Sequence, residues 1–194
     1  MKKIGIVTDS HSSISQEEAK KLGIFVLPMP FYIDGECYYE SVTLSRELFF
    51  EKLTSGADIS TSQPSPTAVM EIWDKALEEY EKILYMPISS GLSSSYNTAM
   101  MLAQEEKYEG RVLVVDDGQV AAPLHQMILD TLDMIEKGYE AEHIRELLEK
   151  AGDRMMIYIA LQTLEFLKKG GIDPSEISFR LQLRSDLYLI LNRS

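Results

Sequence analysis

Hydrophobic positions in this chain fall into short continuous runs separated by amphipathic stretches. Ile4 to Val7 is an apolar run that ends in Thr8-Asp9-Ser10, the pattern of a buried strand opening into a polar loop. Ser15 with Glu18 forms a capping box, Ala19 and Leu22 supply an inner face, and Gly23 is placed to end that helix. Ile24 to Leu27 then reads as a second strand. Asp34-Gly35, between Phe31 to Ile33 and Cys37 to Tyr39, predicts a small hairpin or irregular lobe. Leu44, Leu48 and Phe49 mark another helix closed near Gly56, and residues 57 to 65 are polar and punctuated by proline. Ser65-Pro66 is an N-cap followed by proline at the first helical position, so a helix is expected to about Tyr80.

The alternation continues through a strand at Ile83 to Ile88, a Gly/Ser loop at Ser89 to Ser95 and a helix at Tyr96 to Gln104. A strand follows at Val112 to Val115, then amphipathic helices at Ala122 to Lys137 and Glu142 to Lys150, then a strand at Met156 to Leu161. Strands alternating with helices predict an α/β fold, a mostly parallel sheet with helices on both faces. Phe179 to Leu191 is apolar without clear turn chemistry, and its periodicity fits strand and helix equally.

Charge narrows the partners. With 19 basic and 31 acidic residues among 194, the formal net charge is −12, and no basic cluster offsets it locally, so nucleic acid is not expected as a partner. The most apolar stretch, Ile24 to Ile33, carries Pro28 and Pro30 and is too short to cross a bilayer, so no stable membrane insertion is expected. The N-terminus lacks the core and cleavage site of a signal peptide, so a cytoplasmic location is expected. Cys37 has no metal-ligand companion and reads as a structural thiol.

In open α/β sheets ligands bind beyond the carboxyl ends of the strands, which directs attention to four segments: Thr8-Asp9-Ser10, Thr61 to Pro66, Ser89 to Ser95 and Asp116-Asp117-Gly118. The second and third are rich in hydroxyls and lead into helices, whose first N–H groups carry partial positive charge. Thr61, Ser62, Ser89, Ser90 and Ser93 could donate to a carboxylate or phosphate, and Gly91 would let the backbone approach it. Simple helix capping is the competing reading for each hydroxyl. Asp9 could cap its own loop by accepting backbone N–H bonds, the favoured reading, or join Asp116 and Asp117 around a metal ion for phosphoryl transfer. A triad of Ser90, His11 and Asp116 is the hydrolytic alternative. No glycine-rich nucleotide loop is present.

These segments, taken in order, carry a family resemblance. Ile6-Val7-Thr8-Asp9-Ser10, Gly23-Ile24 with Leu27-Pro28, Asp34-Gly35, Thr61-Ser62-Gln63-Pro64-Ser65, Ile88 to Tyr96 and Leu164 to Gly171 together resemble the DegV family of bacterial fatty-acid-binding proteins. The resemblance implies a two-domain α/β carrier that holds one long-chain fatty acid in an apolar tunnel and presents its carboxylate to a fatty acid kinase. It implies no catalytic residue, no metal and no cofactor beyond the bound acid. Carried over by position, Thr61, Ser62 and Ser93 would hydrogen-bond the carboxylate. Ser90, Gly91 and Asp9 complete the expected head-group region, and Met29, Phe31 and Leu92 are candidate wall residues. Ten methionines suit such a tunnel, since Met adapts to an irregular ligand.

The chain departs from the family pattern at Ser94-Ser95, at Asp117-Gly118-Gln119 with Pro123, and at Gly170-Gly171-Ile172. The expected organisation is therefore a DegV-like N-terminal domain over residues 1-158 and, over 159-194, an incomplete remnant of a truncated second α/β domain. The apolar tail would then favour homo-oligomers.

Overall fold

The computed structural model describes residues 2–39, 42–152, 154–155, 157–161 and 187–191. They group into two compact units, Met1–Met29 with Gln63–Asp153, and Pro30–Ser62 with Arg154–Ser194.

The first unit is built on a parallel four-stranded sheet in the order β2-β1-β6-β7, where β1 is Lys2–Asp9, β2 Phe25–Leu27, β6 Tyr80–Met86 and β7 Val112–Val114. Register runs from Lys2 opposite Tyr80 to Thr8 opposite Met86 in the central pair. Because both faces are covered, the central strands are apolar almost throughout. Ile4, Ile6, Val26, Leu84, Met86 and Leu113 point to one side, against α1 (Gln16–Leu22), α5 (Ala121–Glu136) and α6 (Ala141–Gly152). Val7, Leu27, Ile83, Tyr85, Val112 and Val114 point to the other, against α3 (Pro66–Leu77) and α4 (Ser95–Leu102). Trp73 of α3 is fully enclosed there, edge-on to Tyr85 and Tyr108 with ring centroids 5.3 Å away in each pair.

The structure follows the local signals in the sequence, except that only the Ser15 half of the capping box is seen, the Glu18 carboxylate lying 3.2 Å from His125 Nε2. Ser15 Oγ accepts from Glu18 N–H, Gly23 ends α1 at φ 69°, and Ser65 caps α3 by accepting from Ala68 N–H with Pro66 behind it. Helix α3 stops at Leu77, so Tyr80 opens β6 instead of closing the helix, and its hydroxyl donates to Gly23 carbonyl.

The second unit contains an antiparallel sheet ordered β4-β3-β5, with β3 Pro30–Ile33, β4 Glu36–Tyr39 and β5 Ile59–Thr61, and helix α2 (Arg46–Thr54). Asp34 and Gly35 have φ of 51° and 84°, the double left-handed turn that closes a two-residue hairpin. Strand β5 lies in the segment read from the sequence only as polar and punctuated by proline. It is three residues long with a single buried side chain, Ile59, too short to show an alternating pattern. Phe31, Ile33, Leu44 and Ile59 form this unit's core, with Phe49 packed edge-on to Phe31 at 5.5 Å.

The last expected strand, β8 (Ile157–Leu161), does not extend the parallel sheet. It pairs antiparallel with β9 (Leu187–Leu191), which settles that part of the apolar tail as strand. Residues 162–186, including the Leu164 to Gly171 motif, Gly170-Gly171-Ile172 and the start of the Phe179 tail, lie outside the described residues. No helix among the described residues is long and apolar enough to cross a membrane.

Candidate head-group loop at the carboxyl end of the parallel sheet

In the first unit the chain leaves β6 at Met86 and enters α4 at Ser95, so the Gly/Ser loop sits where an open sheet places its ligands. Three consecutive amides at the start of this loop are held by the end of β1 and by the loop that follows β7. Ile88 N–H donates to Asp9 Oδ2 at 2.8 Å, Ser89 N–H to Gln119 carbonyl at 3.0 Å, and Ser90 N–H to Asp116 Oδ1 at 3.4 Å. The loop then turns on itself. Leu92 and Ser93 N–H donate to Ser89 carbonyl at 2.9 and 3.2 Å, Gly91 N–H to Ser89 Oγ, and Ser95 N–H to Ser93 Oγ at 3.2 Å. Ser94 occupies the cap position of α4 without a side-chain cap hydrogen bond. The start of α4 thus combines the positive end of a helix with the partly exposed hydroxyls of Ser90 and Ser93.

The carboxylates near this loop are turned toward backbone. Asp9 is fully buried at the end of β1. Its Oδ1 accepts from His11 N–H at 2.9 Å and lies 3.3 Å from His11 Nδ1, and its Oδ2 takes the Ile88 amide. Asp9 therefore caps the turn Ser10–Ser12 and also bridges β1 to the loop after β6. Asp116 Oδ1 accepts from Gly118 N–H as well as from Ser90, and Asp117 Oδ1 accepts from Gln119 N–H at 2.9 Å. No group of three or more His, Cys, Asp or Glu side chains among the described residues is arranged to hold a metal ion. Of the imagined triad, His11 stands against Asp9, and Asp116 meets the amide of Ser90.

Burial is the larger cause, and the charge of Asp9 the smaller, of a Tyr85 phenol held well above its usual pKa. The hydroxyl of Tyr85 has no hydrogen-bond partner among the described residues.

The remaining expected site residues divide between the units. Leu92 is half-buried in the loop itself, and Met29 is buried after β2, its N–H donating to Ser10 Oγ at 3.2 Å. Thr61 and Ser62 belong to the second unit, with Phe31. There Thr61 pairs directly with Phe31 across β5 and β3, so its side chain shares the sheet face on which Phe31 stacks with Tyr38 at 5.9 Å. Ser62 N–H donates to Pro30 carbonyl.

Gln119 is the contributor that the residue pattern did not reveal. Its carbonyl holds Ser89, and its side chain, almost fully buried, donates to Asp117 carbonyl at 3.0 Å. A further surprise is Ala121, the first residue of α5, whose φ of 54° is unusual for a residue with a Cβ.

An open parallel sheet covered by helices on both faces, with a hydroxyl loop running from its third strand into a helix, defines an α/β protein of the open-sheet class. The chain belongs to the DegV family, whose model, described as "Uncharacterised protein, DegV family", matches residues 3–183. It is 33% identical over 169 residues to a DegV domain-containing protein of Deinococcus radiodurans, 87% of this chain and 59% of that one, and 29% identical to a Caldanaerobacter subterraneus relative, of which it spans 61%. The chain thus spans about three fifths of the length of these curated relatives. Among solved structures, a Thermus thermophilus DegV family protein described by its fatty acid binding superposes with a TM-score of 0.81 at 31% identity, covering 99% of this chain and 71% of that one. DegV of Bacillus subtilis, described as a fatty acid binding protein, superposes at 0.80 with 21% identity, a likeness of fold, covering 99% of this chain and 71% of that one.

Proposed function

We propose that this chain binds a long-chain fatty acid, seats its carboxylate against hydroxyls and holds it for phosphorylation by a separate fatty acid kinase, contributing no catalytic group of its own. The observation that carries the reading is the loop from Ser89 to Ser95. Its backbone is pinned at three successive amides, and Ser90 and Ser93 stand at a helix start without a side-chain cap. The Thermus relative, described by its fatty acid binding, supports it.

A carboxylate leaving water needs compensation, and hydroxyl donors with a helix N-terminus supply it without a fixed cation. The hydrocarbon needs only apolar volume. Each buried CH₂ contributes about 0.8 kcal/mol, so the acyl chain supplies most of the affinity and the polar loop sets its direction. Asp9 and Asp116 direct carboxylate oxygens to backbone amides, which favours the carrier reading over a phosphotransferase or hydrolase built on these residues or Ser90. Within the first unit, Gly91 enters the proposal as a point of close approach, and Met29 and Leu92 as apolar contacts.

Delipidated protein is expected to bind palmitate in a calorimetric titration, and mass spectrometry of freshly purified protein is expected to show a co-purified acid. Ser93→Ala should weaken palmitate about fivefold or more, the size of one lost hydrogen bond to a charged group. A double-mutant cycle with Thr61→Ala reads whether Thr61 acts on the same ligand. Absence of both co-purified acid and binding by the delipidated protein refutes the proposal. Phosphorylation of the bound acid by a fatty acid kinase, against none of the free acid, tests the carrier role.

A further inference from the structure

We propose that Asp9 and Asp116 are positioning residues, which hold the Ser89–Ser95 loop in the one conformation that discriminates an acid head group from a neutral one. This rests on the fatty-acid reading above and adds what sets its head-group preference.

A seven-residue glycine and serine segment has wide conformational freedom, and fixing it costs entropy. Its internal turn, from Leu92 and Ser93 back to Ser89, orders the middle of the loop but does not orient it on the sheet. Orientation comes from the three amides before it. Two of the three acceptors are carboxylates, one from a strand end 79 residues earlier and one from a loop 26 residues later. At equal length a charge-assisted bond is stronger than one to a neutral carbonyl, and Asp9 holds Ile88 at 2.8 Å where it is wholly shielded from water, whereas Asp116 holds Ser90 at a longer 3.4 Å. Each carboxylate is satisfied in a second direction, Asp9 by His11 N–H and Asp116 by Gly118 N–H, so neither can swing away without stranding a second amide.

The arrangement has an electrostatic consequence. Asp9 Oδ1 and Oδ2 and Asp116 Oδ1 are aimed at backbone donors, while the neutral hydroxyls of Ser90 and Ser93 and the helix start are the donors this loop offers an incoming anion. If the pins are removed the hydroxyls lose their fixed direction. A preorganised donor set is worth more to a charged head group than to a neutral one, because the charged group has more solvation to replace. Loosening the loop therefore falls selectively on the acid.

The test compares palmitate with hexadecanol, which share an acyl length and differ at the head. In Asp9→Asn one acceptor oxygen becomes a donor, so the residue can no longer accept from both His11 and Ile88. Asp116→Ala removes the other pin, from a less buried position. In either variant palmitate affinity is expected to fall about fivefold or more while hexadecanol affinity changes by less than about twofold. The amide proton of Ile88 in the first, and of Ser90 in the second, should move upfield as its charged acceptor is lost. A parallel loss for both ligands, as general destabilisation would give, overturns the proposal, as does unchanged palmitate binding in the folded Asp116→Ala protein. If the unaltered protein binds neither ligand, the fatty-acid reading itself fails, an outcome distinct from either of these.

Discussion

Gly152→Ala tests how closely the end of α6 is fitted to the loop that supports the candidate site. A Cβ added at Gly152 would stand 2.0 Å from the carbonyl oxygen of Asp117 and 2.6 Å from its carbonyl carbon. Ordinary contact requires more than 3 Å, so backbone must separate from backbone by about 1 Å, with no flexible side chain to yield instead. Overpacking of this kind costs about 1–3 kcal/mol. Two effects oppose it: alanine is favoured over glycine in a helix interior by up to about 1 kcal/mol, and it restricts the unfolded chain by about 0.4–1 kcal/mol. Gly152 is the last residue of α6, where the propensity gain is small, so the clash should win and leave a net loss of about 1–2 kcal/mol. Urea unfolding should show a lower midpoint with an unchanged slope. Gly138→Ala is the control, because nothing lies within 4 Å of its added Cβ and only its φ of 83° is unfavourable. A Gly152→Ala protein as stable as the parent would refute the close approach of α6 to Asp117.

Three further outcomes follow from the described packing. Tyr85→Phe deletes a buried hydroxyl that lacks a partner among the described residues, so stability near neutral pH should hold or rise by up to about 1 kcal/mol in chemical denaturation. Because the folded state raises the Tyr85 pKa, its proton is bound more tightly in the folded than in the unfolded protein. The parent should therefore keep this contribution below pH 10 and lose it as the pH climbs from 10.0 toward the raised value, a loss absent from Tyr85→Phe in alkaline melts. Ser65→Ala removes the cap on α3 and should cost about 1 kcal/mol by urea titration, an exposed position making the effect local. Gly35→Ala meets no steric neighbour, yet its φ of 84° should still cost about 1 kcal/mol, and a neutral result would remove the left-handed turn from the hairpin.

Signals carried by adjacent residues were legible in the sequence. The capping pair Ser15 and Glu18, the stop at Gly23, the Ser65-Pro66 start and the Asp34-Gly35 turn each depend on chemistry within four or five positions, and the structure follows them. Strand β5 was not legible, because Ile59 is its only buried side chain and its identity as a strand comes from pairing with β3. The partner of β8 was hidden for a similar reason: an apolar strand looks the same whether its neighbour is parallel or antiparallel, and β9 begins 26 residues after β8 ends (187 − 161 = 26). The candidate loop shows both cases in one residue. The bond from Asp9 to His11 N–H is the local cap that an aspartate after a strand suggests, whereas its bond to Ile88 exists only once β1 and β6 are side by side.

That second bond bears on how a chain of net charge −12 could hold an anion. An arginine at the loop would bind a carboxylate tightly, but it would also compete with any enzyme that must reach the same oxygens. Neutral donors avoid the competition at the expense of strength, and the deficit can be recovered by fixing their direction beforehand. Fixing them with buried carboxylates looks self-defeating, since it places negative charge beside the proposed anion seat. It is tolerable here because Asp9 accepts two amide bonds within a shielded site and Asp116 accepts two on one oxygen, so peptide dipoles offset the charges where they arise. The same arrangement predicts asymmetry between the two: Asp9, fully enclosed, should affect folding and head-group selection together, and Asp116, at the edge of the loop, should affect selection with the smaller effect on stability. Equal losses of stability from Asp9→Asn and Asp116→Ala would show that burial is not what separates their roles.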